Sequence, residues 1–164
     1  MLAGLFDEFF GVPTHPFAVH APIVLLPIAA VATVVLVVRS DWRRRIWWAA
    51  PATILVLFAM LFVAKESGEA VLDSQNVFGN VDRHQELGEQ TVLIAFVWLV
   101  GSIALAVRDR QTTSTKALSS DVASPPRDAI ALGLSIVVAL IAVVATIWLI
   151  RTGHAGAESR WVIG

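Results

Sequence analysis

Four stretches of this chain carry no charged side chain: residues 21–38, 46–64, 90–107 and 129–150, each 18 to 22 residues long. At 1.5 Å of rise per residue, about 20 helical residues cross the roughly 30 Å hydrocarbon layer of a bilayer. A backbone in that layer has no water to bond and must satisfy its own N–H and C=O groups, so each run is expected to be a helix. Buried helices of soluble proteins rarely run so long without a charge. Composition points the same way: 57% of residues are hydrophobic and 15% charged, against about half and about a quarter in a soluble domain. The expected fold is all-α, an integral membrane four-helix antiparallel bundle. Its spans are expected at about 17–38, 46–64 with an extension to 74, 84–107 and 129–151, within a membrane domain over 15–162. The first run lacks a basic leader and is read as a retained anchor rather than a cleaved signal.

Lys and Arg near span ends set orientation. Arg39, Arg43, Arg44 and Arg45 follow the first run, and Arg108, Arg110, Lys116 and Arg127 follow the third. The middle loop holds only Lys65 and Arg83, and the C-terminal segment only Arg151 and Arg160. The arginine-rich loops are therefore expected in the cytoplasm, with both termini on the outer, extracytoplasmic side of a bacterial inner membrane. Residues 108–128, rich in Ser and Thr and ending in Pro125-Pro126, read as a cytoplasmic linker. Residues 1–14 set Leu2, Leu5, Phe6, Phe9 and Phe10 beside Asp7 and Glu8, the pattern of an amphipathic segment lying on the outer surface. No internal repeat is evident.

Several functions are excluded or disfavoured. The chain has no cysteine, which excludes disulfides, cysteine-ligated iron–sulfur clusters and covalent c-type haem. A net charge of −1 without a basic patch gives no footprint for nucleic acid. No G-x-S-x-G, P-loop or H-E-x-x-H is present, so an enzyme acting alone is not expected.

The four histidines carry what chemistry remains. His15 and His20 lie in "PTHPFAVHAP" at the head of the first span, His84 opens the third, and His154 follows the fourth. Antiparallel threading gathers all of these at the outer face. His15 precedes Pro16 and is biased out of the helix, whereas His20, on the second turn, points into the bundle or along its wall. His84 shares a stripe of small and polar residues with Gly88, Thr91, Ala95, Trp98 and Ser102, which faces the bundle rather than lipid.

Three readings stay open. Two imidazoles clamp the iron of haem b across an apolar slot, with His20 and His84 the first candidates and His154 and His15 next. Alternatively His20, His84 and His154, with Glu69 and Asp73, hold a transition-metal ion, for which imidazole and carboxylate suit zinc, copper or iron. In the third, the histidines only cap helix ends and bond carbonyls freed by prolines. The inner half of the spans offers no histidine or cysteine, so a redox role is confined to the outer face or needs a partner.

Taken together, "HPFAVHAP", "SGEAVLD", "RHQELG" and "TGHAGAESRW" resemble an uncharacterised bacterial family of four-span membrane proteins, a domain of unknown function. That family has a His-Pro-x-x-x-His-x-Pro start and a Gly-His-x-Gly end. The matching positions are His15, Pro16, His20, Pro22, Gly68, Glu69, Asp73, His84, Gly88, Gly153, His154 and Gly156. The resemblance implies a place beside redox domains in electron transfer, by analogy. The expected function is a redox-associated membrane protein binding haem b or a metal ion at its outer face. Alternatives are a cofactor-free accessory subunit of a larger membrane complex, or a small transporter or metal-handling protein. Expected partners are the lipid bilayer and other membrane or redox proteins.

Overall fold

The computed structural model describes the backbone of residues 8–9, 12–74, 81–118 and 128–161, and the side chains of 14–70, 72, 81–112 and 128–158. A minimal antiparallel pair, β1 (Glu8–Phe9) with β2 (Val12–Pro13), precedes the helices. At residues 8–9 and 12–13 this stands where a helix was expected of the amphipathic segment; residues 10–11 lie outside the described residues. Proline disfavours helical geometry in the residue before it, and Val12 stands before Pro13. Residues 1–7 lie outside the described residues.

The helices are α1 (Thr14–Val38), α2 (Ser40–Arg45), α3 (Ala49–Ser74), α4 (Asp82–Leu118) and α5 (Ala129–Trp161). All but α2 are long and apolar enough to cross a membrane. Three boundaries differ from expectation. Helix α1 starts at Thr14, so His15 lies inside its first turn. Helix α4 runs to Leu118, taking up the first half of the expected linker. Helix α5 runs to Trp161, so His154 sits on a helix rather than beyond one. Its glycines cost helix only about 1 kcal/mol each relative to alanine, and no proline follows to stop it.

Each long helix packs on two neighbours: α1 on α3 and α5, and α4 on α3 and α5. Helices α1 and α4 therefore face one another across the bundle. The core joins Leu26, Ile54, Trp98, Val138, Ala142 and Ala145. Gly101 lets α5 approach α4 closely, since a Cβ there would lie 3.1 Å from Val138. The outer surface is apolar: Val31 is 65% exposed and Leu140 60%, as suits side chains solvated by lipid rather than water. Along α4 the buried row continues from Thr91, Ala95, Trp98 and Ser102 to Leu105 and Asp109. Its alternating spacing of four and three is that of a coiled-coil seam.

One end of the bundle is closed by arginine. From α2, Arg43 reaches Asp109 on α4 through a bidentate pair, Nε to Oδ2 at 2.6 Å and Nη2 to Oδ1 at 3.1 Å. The Asp109 side chain is fully buried. Nearby, Arg108 binds Asp128, whose Oδ1 also accepts the N–H groups of Ile130 and Ala131 and so caps α5. The Arg108 bond, then that from Ala131, holds the Asp128 carboxyl below its ordinary range.

Removing one partner of a buried ion pair strands the other, at about 3–5 kcal/mol, whereas an apolar pair of similar volume is often neutral. Arg43→Ala is therefore expected to lower thermal stability in detergent strongly. The Arg43→Met/Asp109→Leu double variant should regain most of that loss, and unfolding midpoints of the three proteins check it.

Candidate functional site

The opposite end of the bundle holds a cavity of about 350 Å³ with mostly apolar walls, drawn from all four long helices. Two histidines line it, His15 from α1 and His84 from α4. Their ring centres are 6.3 Å apart and their planes lie at 83°.

Each ring is fixed in the same way. His15 Nδ1 lies 2.9 Å from the carbonyl of Ala64 on α3, with Ser67 Oγ at 3.3 Å. His84 Nδ1 lies 2.8 Å from the carbonyl of Thr152 on α5. A carbonyl only accepts, so Nδ1 is the donating nitrogen of each ring in this bond. One turn beyond each carbonyl is a glycine against the ring. A Cβ on Gly68 would meet His15 Cε1 at 3.1 Å, and one on Gly156 would meet His84 Cε1 and Nδ1 at 2.9 Å. Thr91 and Thr152 join their hydroxyls at 3.0 Å on the cavity wall.

The two halves of the chain match around this cavity. Four and seven residues after His15 come Val19 and Pro22; four and seven after His84 come Gly88 and Thr91, and all of these line it. On the partner helices, Leu61, Ala64 and Gly68 repeat the spacing of Leu149, Thr152 and Gly156. Hairpin α1–α3 and hairpin α4–α5 thus present one pattern twice, and the cavity has approximate twofold character. No repeat was expected from sequence. The inner helices are offset by 69 residues (His15 to His84) and their partners by 88 (Ala64 to Thr152), so no single shift aligns them.

The remaining candidates stand elsewhere. His20 is exposed, with its Nδ1 turned back to the Pro16 carbonyl on its own helix. At 3.6 residues per turn, five residues after His15 is about 140° round the helix, so both rings cannot face the cavity. His15, ranked behind His20 from sequence, is the one that does. His154 is exposed and pairs with Glu158 at 3.1 Å. Glu69 lines the cavity mouth but binds Lys65 at 2.5 Å. The Asp73 side chain lies outside the described residues. Among the described residues no three histidine or acidic side chains gather as metal ligands. Trp98 packs in the central core and does not border the cavity.

A family model for predicted membrane proteins, DUF2231, matches residues 11–164. The chain belongs to that family. The match takes in the whole bundle and all the residues that line the cavity. No curated protein matches this DUF2231 chain, and no solved structure matches it.

The glycine contacts make a graded prediction. Gly156→Ala, which puts a methyl group 2.9 Å from His84, should destabilise most, and Gly68→Ala at 3.1 Å next. Gly133→Ala, with nothing within 4 Å, should stabilise slightly, since alanine is the better helix former. Thermal unfolding of the three variants checks the order.

Proposed function

We propose that this membrane protein binds one haem b between His15 and His84, at the outer membrane face, and serves electron transfer there. The observation that carries the reading is the pair of imidazoles on opposite helices of one cavity, 6.3 Å apart, each oriented through Nδ1 by a helix carbonyl. Such a bond from the ring's other nitrogen is what fixes a ligating imidazole. Metal–imidazole bonds of about 2.0–2.1 Å, with each ring centre ~1.1 Å behind its nitrogen, set two axial rings about 6 Å apart. The 6.3 Å separation fits that span.

The ligand count favours haem over a bare ion. Structural zinc takes four protein ligands, and other metal sites commonly three or more. Haem brings four nitrogens of its own and asks for only two more, the number converging here. The walls also suit a flat apolar macrocycle: Gly68 and Gly156 seat the two rings, and Gly88 leaves open space on the wall. Bound haem supplies one-electron chemistry. The chain's own residues would hold it, orient the two rings through Nδ1 and shield the site with apolar side chains. The positive-inside rule, with arginines at the far end of the bundle, supports reading this cavity as facing the extracytoplasmic side of a bacterial inner membrane. A redox protein on that side is the expected partner.

Protein purified after expression with haem available should show a Soret band that is lost in His15→Ala and in His84→Ala and kept in His20→Ala. A wild-type protein with neither Soret band nor bound metal sinks the reading and leaves a cofactor-free accessory subunit.

A further inference from the structure

We propose that Lys65 sets which way round the ligand sits, by pairing with a carboxylate on one of its edges. This inference rests on the haem reading above. A twofold cradle fixes the iron but not the rotation of the macrocycle about the line joining the imidazoles. Haem b is not symmetric about that line: two propionates project from one edge, and vinyl and methyl groups from the other. Whatever breaks the symmetry of the walls decides where the propionates go.

The matched positions show where the symmetry breaks. One residue beyond the His15-binding carbonyl is Lys65, and one beyond the His84-binding carbonyl is Gly153; both line the cavity. Five residues beyond each carbonyl come Glu69 and Ala157. The α3 wall therefore carries a lysine and a glutamate, whereas of the matched α5 positions Gly153 lines the cavity and Ala157 does not. Lys65 is the one cation among the described residues lining the cavity. A carboxylate placed against apolar walls needs a partner or is strongly disfavoured, so the propionate edge turns towards α3.

Without ligand, Lys65 Nζ binds Glu69 at 2.5 Å and Glu66 at 3.4 Å. These pairs are partly exposed, with side-chain exposures of 25% for Lys65 and 38% for Glu69, and pairs of that kind contribute little. Exchange of Glu69 for a propionate on Lys65 is therefore open. Glu69 acts as a competitor that holds the ammonium at the cavity mouth until the ligand arrives.

The test titrates haem b and haem b dimethyl ester, in which both carboxylates are capped, into the detergent-solubilised full chain and follows the Soret band. Wild type is expected to bind the free acid roughly tenfold more tightly than the ester, as one retained charge-assisted contact allows. Lys65→Met should bring the two affinities together while leaving that for the ester unchanged, which also shows that the pocket is intact. Glu69→Gln should tighten binding of the free acid alone. Equal wild-type affinities, a preference that survives in Lys65→Met, or weaker free-acid binding in Glu69→Gln overturns the role of Lys65 and leaves the haem reading standing. Absence of a Soret band with either compound in wild type sinks both.

Discussion

Lipid tails are as apolar as leucine, so no hydrophobic force presses transmembrane helices together. Everything in this bundle follows from how it manages without one. Helices approach where side chains are small, as at Gly101 against Val138 and along Ala142 and Ala145. The few polar contacts between helices then act as latches in a medium that offers them no competing water. They cluster at the two ends: the Arg43–Asp109 pair at one, and the bonds from His15 to Ala64 and from His84 to Thr152 at the other. Between them the interior is dry packing around Trp98.

The two ends use polar groups differently. At the arginine end two opposite charges meet in a buried bidentate fork that neutralises both and ties the short α2 to α4. Such a contact fixes geometry and leaves little to offer a ligand. At the histidine end each ring spends one nitrogen on a neighbouring helix, and the two rings face each other over a cavity. The same economy of polar groups thus yields a lock at one end and a pair of preoriented bases at the other.

The fold was legible because hydrocarbon imposes a long, charge-free run on every span, and four such runs are hard to read otherwise. The inward face of α4 was legible too, since Thr91, Trp98 and Ser102 share a stripe with His84. From sequence, the prolines around them favour the choice of His20 over His15, and the helix starting at Thr14 reverses that order. Helical angle decides it: Val19 and Pro22 follow His15 at four and seven residues and face inward with it, whereas His20 falls on the other side. The extra lengths of α4 and α5 were missed because polar residues end a hydrophobic run without ending a helix. The matched hairpins escaped notice because their loops differ in length. Only contacts in space, from His15 to Gly68 and from His84 to Gly156, align the two halves.

That matched pattern lies within a single polypeptide, and the arrangement has a consequence for charge. In a dimer of identical hairpins, any side chain beside the axis appears in two copies, and a lysine facing the cavity would bring a second like charge with it. Within one chain, position 65 carries lysine while position 153 carries glycine, so the cavity holds one ammonium without a second opposing it.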